Sequence, residues 1–240
     1  MKYLLLHSLA MSGRLWDPLV AKLDGDTVAM DARGHGDAPW DGDPFTIEDL
    51  AEDAAALIEE RADGPVAVAG MSMGGCVAIA LAGRRPELVN RLVLADTTAN
   101  YGPNRVQAWS ERADNAVTKP REEQLSFQID RWFTPEFAER HPDEVRRVCD
   151  LFLATDSQAH AQACRALGAF DGLDLLPRIT AATLVVVGEQ DYATPPDMAR
   201  TLAEGIPDAQ LRIVPRARHF SLFEAAGELD VVAAHLSGER

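Results

Sequence analysis

The sequence contains few cysteines, few basic residues and no long apolar run. Cys76, Cys149 and Cys164 are too few and too scattered for a disulfide framework, which predicts a reducing, cytoplasmic setting. The 23 lysines and arginines are outnumbered by 38 aspartates and glutamates, and the formal charge of −15 disfavours nucleic acid or an anionic membrane as a partner. The apolar residues 3–6 are too short a run for a signal peptide or a membrane span.

Motifs for cofactors and metals are also missing. The chain has no phosphate-binding P-loop, no Gly-x-Gly-x-x-Gly fingerprint and no spacing of metal ligands. We therefore expect neither a cofactor nor a metal. Because 47% of its 240 residues are hydrophobic, the chain can build one large core or a core with a small second lobe.

The most informative segment is residues 66–80, which contains a short apolar run, the pattern Gly-x-Ser-x-Gly and an apolar stretch of small residues. This order predicts a strand that turns sharply into a helix around Ser72, as in the nucleophile elbow of α/β-hydrolases. Gly70 and Gly74 remove side chains that would block the turn. The new helix directs its N-terminal amides to the point where negative charge develops during acyl transfer.

Two residues follow Ser72 in the order that this fold uses, an acid and then a histidine. Residues 183–188 predict a buried parallel strand, and Asp191 lies in the loop after it. Residues 210–214 predict another strand, with His219 in the following loop. We predict Ser72, Asp191 and His219 as a catalytic triad. Asp96 remains a rival acid, because it follows the predicted strand 91–95 and some hydrolases of this fold carry their acid there.

Helix starts are predicted beside two of these residues. Thr194 is expected to cap a helix that opens on proline, and Ser221 and Glu224 have the spacing of a capping box after His219. His35 is predicted to order a loop. The remaining histidines with weaker claims lie on predicted helices: His141, His160 and His235.

Strands alternate with helices outside the middle of the chain, which predicts a parallel, doubly wound α/β sheet. Its strands are expected at residues 3–6, 27–30, 66–69, 91–95, 183–188 and 210–214, with helices near 13–22 and 46–61. Residues 99–179, called the insertion below, are far longer than an ordinary loop and hold eight of the fifteen aromatic residues. We predict an α/β-hydrolase core of residues 1–98 and 180–240, and a helical cap of residues 99–179.

The chain resembles the 3-oxoadipate enol-lactonases, members of the α/β-hydrolase superfamily, nearly from end to end. The matching segments are residues 7–9, 15–18, 31–36, 70–75, 91–97, 131–135 and 191–196. Two features depart from that family. The usual N-terminal hairpin does not precede the first strand, so the sheet is expected to have six strands, all parallel. Asp96 replaces an expected asparagine, and its charge weighs against an anionic substrate.

The resemblance implies that the predicted triad hydrolyses 3-oxoadipate enol-lactone through an acyl-enzyme, without a cofactor. It also implies an oxyanion hole formed by the backbone N–H groups of Leu9 and Met73. Arg131 is the first candidate to bind the substrate carboxylate, since a guanidinium can donate two parallel hydrogen bonds to it; the alternative is a solvated surface arginine. Trp132 is expected to form an apolar wall, and Trp109 is a further candidate contact.

Other functions fit the same residues. A carboxylesterase of different specificity uses the same triad, although the ten basic and thirteen acidic residues of the insertion do not favour docking of an acyl carrier protein. A hydroxynitrile-lyase-like enzyme is a second alternative, and a ligand receptor that retains the triad without catalysis is a third. We favour a small-molecule ester or lactone as the substrate, and the sequence makes no prediction of oligomeric state.

Overall fold

The computed structural model describes residues 1–239 and contains one six-stranded sheet in the order β2-β1-β3-β4-β5-β6. The strands are β1 (Tyr3–Leu6), β2 (Thr27–Met30), β3 (Val66–Met71), β4 (Val89–Ala95), β5 (Ala182–Gly188) and β6 (Gln210–Val214). Every neighbouring pair runs parallel. The predicted parallel α/β-hydrolase sheet is therefore confirmed.

Helices occupy the connections between the strands. They are α1 (Asp17–Val20), α2 (Ile47–Arg61), α3 (Met73–Arg84), α4 (Arg105–Thr118), α5 (Arg121–Trp132), α6 (Pro135–Arg140), α7 (Pro142–Ala154), α8 (Ser157–Ala169), α9 (Pro196–Gly205), α10 (Ser221–Glu224) and α11 (Glu228–Ser237). Short 3₁₀ segments cover Gly13–Trp16, Pro86–Leu88 and Leu173–Arg178. The single helix predicted near residues 13–22 is thus a 3₁₀ turn followed by one α-helical turn. Within residues 1–239, none of the helices has both the length and the apolar character needed to cross a membrane.

Local chemistry explains where α2 begins. Thr46 Oγ1 accepts a hydrogen bond from the Asp49 N–H at 3.1 Å, and the Asp49 carboxylate accepts one from the Thr46 N–H at 2.8 Å. This reciprocal pair is a capping box, which satisfies two amides that a helix N-terminus leaves free. The apolar face of α2 is buried, with Leu50, Ala54 and Ile58 each at most 1% exposed.

The insertion supplies α4 to α8, between β4 and β5. Within it, α4 packs mainly on α8. The insertion meets the loop after β6 through Trp132, whose ring stacks on Phe220 at 5.3 Å and whose carbonyl accepts a hydrogen bond from the Phe220 N–H at 3.0 Å. The helices of the insertion are thereby fixed next to the carboxyl ends of the strands, which is where ligands bind in open α/β sheets.

Candidate active site

Ser72 lies in the sharp turn between β3 and α3. Its φ of 52° and ψ of −113° place it in a backbone region that residues with a side chain rarely adopt. The turn requires two glycines: a Cβ on Gly70 would lie 2.2 Å from the Gly74 carbonyl oxygen, and one on Gly74 would lie 2.0 Å from the Leu6 carbonyl oxygen. The Ser72 carbonyl is held in turn by Thr97 Oγ1, which donates to it at 2.7 Å.

A hydrogen-bonded chain joins Ser72 to His219 and Asp191. His219 Nε2 lies 3.0 Å from Ser72 Oγ, and His219 Nδ1 lies 2.8 Å from Asp191 Oδ2. The three residues are at most 6% exposed. The structure therefore brings together the three residues that the sequence predicted, although they are separated by up to 147 positions. Such an arrangement can remove a proton from Ser72 Oγ and hold the resulting imidazolium.

Asp191 is held by several donors besides His219. Its Oδ1 accepts from the N–H groups of Ala193 and Thr194 at 2.7 and 3.1 Å, and its Oδ2 accepts from Thr194 Oγ1 at 2.8 Å. Burial alone would raise the pKa of Asp191, but His219 and the hydrogen bonds of Thr194 hold that pKa below its ordinary value. The carboxylate is therefore ionised at neutral pH and oriented toward His219.

The role predicted for Thr194 as a helix cap is wrong. The helix α9 begins at Pro196 after Pro195, and no side chain caps it. Pro195 occupies the position before the helix. The Thr194 hydroxyl instead donates to the Asp191 carboxylate, a hydrogen bond that the charge of the acceptor strengthens.

Asp96 makes no hydrogen bond to His219 in the part of the chain that the structure describes. Its Oδ1 accepts from the Gly188 N–H at 3.0 Å, and its Oδ2 accepts from the N–H and Oγ of Ser221 at 3.2 and 2.8 Å. Asp96 thus ties the end of β5, just before Asp191, to the start of α10, two residues after His219. Burial, and then the nearby charge of Asp191, raise the pKa of Asp96 well above its ordinary value.

The capping box predicted from Ser221 and Glu224 is also wrong. The residue before α10 is Phe220, and no side chain caps this helix. Ser221 is used by Asp96, while the Glu224 carboxylate accepts from the N–H groups of Thr134 and Arg218 at 2.8 Å each. Glu224 therefore links the insertion to the loop that carries His219. In both cases the hydroxyl donates to a buried carboxylate instead of capping the next helix.

Two backbone amides have free donors at positions that suit an oxyanion hole. The N–H groups of Leu9, after β1, and of Met73, at the start of α3, donate to no other atom of residues 1–239. Leu9 is 7% exposed and Met73 is 1% exposed. Because a buried N–H is costly without a partner, these two amides remain the candidates for the predicted oxyanion hole.

An inner pocket with a free volume of about 10 Å³ lies beside Ser72 and His219. This volume is close to the smallest that holds one water molecule, about 10–15 Å³. The insertion provides much of its lining, including the predicted Trp109, Arg131 and Trp132. Sequence reasoning missed five further lining residues of the insertion, which are Tyr101, Arg112, Gln128, Phe152 and His160.

Two arginines of this lining lack an acidic partner within residues 1–239. Arg131 forms no ion pair or side-chain hydrogen bond there, and burial, together with the nearby charge of Arg112, lowers the pKa of Arg131 to about 10. The Arg112 guanidinium lies 4.9 Å from the Trp109 ring centre, and its Nη2 lies 3.5 Å from Gln128 Oε1. With a pKa of about 10, Arg131 stays protonated at neutral pH. In a chain of formal charge −15, the two neighbouring guanidinium groups make this pocket locally cationic.

Of the other histidines that the sequence analysis considered, only His160 lines the inner pocket. His35 Nδ1 lies 3.0 Å from the Arg33 carbonyl oxygen in a loop, as predicted for an ordering role. His160 Nδ1 lies 3.2 Å from Arg121 Nη1, and its ring borders the inner pocket. Neither His141 nor His235 lines that pocket. Within residues 1–239, no three His, Cys, Asp or Glu side chains cluster so as to hold a metal ion.

Comparison with known proteins agrees with this geometry. The model of the Alpha/beta hydrolase family matches residues 3–233. Among curated proteins, 3-oxoadipate enol-lactonase 2 of Acinetobacter baylyi is 30% identical over 220 residues, which cover 91% of this chain and 81% of the relative. The pimeloyl-[acyl-carrier protein] methyl ester esterase of Neisseria meningitidis is 31% identical over 234 residues, which cover 91% of this chain and 86% of the relative.

A solved structure also resembles this protein closely in fold. The enol-lactonase from Burkholderia xenovorans LB400 superposes with a TM-score of 0.91 at 32% sequence identity, over 98% of this chain and 90% of that one. Together, the family match over almost the whole chain, the relatives and the fold show that the chain belongs to the alpha/beta hydrolase family.

Proposed function

We propose that this protein is a serine hydrolase of carboxylic esters or lactones, in which Ser72 is the nucleophile, His219 the general base and Asp191 the acid that orients it. The observation that carries the proposal is the chain of two short hydrogen bonds, 3.0 Å from Ser72 Oγ to His219 Nε2 and 2.8 Å from His219 Nδ1 to Asp191 Oδ2. A nucleophile, a base and an orienting carboxylate in this order are what acyl transfer needs.

The reaction begins when His219 Nε2 takes the hydroxyl proton as Ser72 Oγ attacks the carbonyl carbon. The carbonyl oxygen becomes an oxyanion, which accepts hydrogen bonds from the N–H groups of Leu9 and Met73. Each such donor contributes about 2.7–4 kcal/mol of transition-state stabilisation. His219 then returns the proton to the leaving oxygen, and an acyl-enzyme forms on Ser72. A water molecule, deprotonated by His219, releases the acid and restores the serine.

The most specific form of the proposal is hydrolysis of 3-oxoadipate enol-lactone to 3-oxoadipate. In this substrate the leaving oxygen stays tethered to the acyl group, and the enol that leaves converts to a ketone, which favours the forward direction. Two relatives named as enol-lactonases, at 30% and 32% identity, support this substrate. The unpaired Arg131 and Arg112 support it as well, because the lactone carries a carboxylate that either guanidinium could bind.

Trp132 and Trp109 complete the proposed substrate contacts as apolar walls beside the arginines. The proposal treats residues 1–98 and 180–240 as the catalytic core and residues 99–179 as its cap. It places the reaction in the cytoplasm, where the free thiols of Cys76, Cys149 and Cys164 would stay reduced. It requires no cofactor.

A carboxylesterase of other specificity remains the second candidate, and the similarity of 31% to a methyl ester esterase favours it. Purified protein should be assayed with the enol-lactone beside p-nitrophenyl acetate and a panel of neutral lactones. The lactonase proposal expects kcat/KM for the enol-lactone to exceed that for the neutral compounds by at least tenfold. Hydrolysis of the neutral esters alone would leave an esterase, and hydrolysis of none would contradict the proposal.

A further inference from the structure

A second, larger space adjoins the inner pocket. This outer groove has a volume of about 530 Å³ and lies between α4 and α5. Its lining is mixed. Tyr101, Ala108, Trp109 and Phe127 provide the apolar part, and polar or charged side chains, among them Arg105, Glu111, Lys119 and Glu123, border it. The volume falls within the range of about 300–1,000 Å³ that is typical of small-molecule sites.

The outer groove and the inner pocket share part of their walls. The residues common to both are Tyr101, Trp109, Arg112, Gln128, Arg131 and His160. Arg112 belongs to α4 and Gln128 to α5, so their 3.5 Å contact bridges the two helices between the two spaces. A hydrogen bond at this distance is weak, so little stability is lost when a ligand that passes between the helices displaces it.

The sizes of the two spaces constrain the shape of a substrate. The inner pocket, with about 10 Å³ of free volume, is far smaller than the outer groove. The long half of an extended ester therefore finds its space beyond the shared wall, in the outer groove.

Phe127 adds apolar surface to the outer groove. Its ring is 55% exposed and lies at the groove, although most other aromatic side chains of the insertion are buried. A chain of carbon atoms in the groove would cover part of this ring and remove apolar area from water. The facing helix contributes Ala108, whose small side chain leaves the groove open.

We propose that the outer groove is a binding subsite for an extended apolar chain, and that the protein therefore has a further activity on open-chain esters with one short half and one half of about four to eight carbons. The inference rests on the proposed serine chemistry at Ser72. It differs from the lactone proposal because the lactone places a carboxylate against the arginines of the shared wall, whereas the groove would hold an uncharged chain of several carbons.

The test uses two series of neutral esters, p-nitrophenyl acetate to octanoate for the acyl half and methyl to octyl acetate for the alcohol half. Ala108→Trp should fill the groove. Val106→Trp is the matched control, because Val106 lies on the same helix, is 65% exposed and does not line the groove. Thermal unfolding checks that both variants fold.

For the wild type, kcat/KM should rise by up to about fourfold per added methylene in one of the two series, until the groove is filled. Ala108→Trp should lower kcat/KM for the C8 ester of that series at least tenfold and leave the shortest ester within twofold. Val106→Trp should match the wild type throughout. Phe127→Ser should weaken the preference for long chains in the same direction as Ala108→Trp.

A flat dependence on chain length in both series would overturn the inference, as would equal effects of Ala108→Trp on short and long esters or equal effects of the two tryptophan variants. In those cases the short esters are still hydrolysed, so the serine chemistry stands. Failure to hydrolyse any ester, together with no labelling of Ser72 by a fluorophosphonate, would instead overturn the proposed function and this inference with it.

Discussion

The carboxyl edge of the sheet and the insertion contribute to one pocket in opposite ways. At the sheet edge the polar side chains satisfy one another: His219 joins Ser72 to Asp191, and Asp96 binds Ser221. In the insertion, by contrast, Arg131 has no acidic partner among residues 1–239, although burial makes its charge costly. Side chains that hydrogen-bond to one another are preorganised for one reaction. A buried guanidinium without an acidic partner, by contrast, can bind an anionic ligand. We infer that the core carries the chemistry and the insertion carries the recognition.

The most severe test of this division of roles between the core and the insertion is to remove the nucleophile. Ser72→Ala should lower kcat by about 10⁴ to 10⁶-fold, and His219→Ala by a similar factor, since members of a triad act as a unit. Steady-state kinetics with p-nitrophenyl acetate measure the loss. Ser126→Ala, at an exposed serine of α5, is the control and should keep full activity. If Ser72→Ala keeps kcat within tenfold of the wild-type value, the conclusion that the core carries the chemistry is wrong.

The next effect separates the two buried aspartates. Asp191→Asn should lower kcat by about 10⁴-fold, because an amide no longer holds His219 in the useful tautomer. Asp96→Asn should cost at most about tenfold, since Asp96 binds Gly188 and Ser221 rather than His219. Both are measured as kcat with a neutral ester. A larger loss for Asp96→Asn would mean that the acid had been assigned to the wrong strand.

A smaller effect tests the insertion. Arg131→Ala should raise KM for the anionic enol-lactone by about 10 to 100-fold, because a hydrogen bond to a charged group contributes about 1.5–3 kcal/mol. Hydrolysis of p-nitrophenyl acetate should change less than twofold. Arg146→Ala on α7 is the control, as its side chain is exposed and lines neither the inner pocket nor the outer groove. Equal losses of activity with charged and neutral substrates would show that Arg131 is structural. The insertion would then not carry the recognition of the substrate.

The smallest effect concerns stability and pH. The folded-state pKa of Asp96 is raised by burial and by Asp191, so above pH 4 the unfolded chain loses this proton while the folded protein still holds it. In that window the unfolded state binds fewer protons, and Asp96 makes the free energy of unfolding fall as the pH rises. Asp96→Asn should remove this slope. Urea unfolding of both proteins from pH 4 to pH 8 measures the difference, which should grow in favour of the variant with pH; a constant difference would contradict the raised pKa.

Much of the sheet could be predicted from the sequence because its signals are local. The apolar runs of β1, β2 and β6 were placed to the residue, and the glycines of the elbow are required by contacts between near neighbours such as Gly70 and Gly74. The prediction ended β3 at residue 69, although the strand continues to Met71, because Gly70 suggested the turn itself.

The parts that sequence reasoning missed depend on side-chain partners that residue types alone do not reveal. Thr194 and Ser221 have ideal residue types for helix caps, but their hydroxyls donate to Asp191 in the same loop and to Asp96 on a distant strand end. Arg112 has the pattern of an ordinary surface arginine on an amphipathic helix. Only the packing of α4 within the insertion directs it to the pocket, and no local pattern encodes that packing.

The most direct test of the central claim is covalent labelling of the resting protein with a fluorophosphonate, followed by intact-mass analysis and peptide mapping. Such a probe reacts with a serine whose hydroxyl is activated by a neighbouring base. We predict one adduct per chain, on Ser72, which is lost in Ser72→Ala and strongly slowed in His219→Ala. No adduct on the folded wild-type protein, or an adduct on a different serine, would contradict the account.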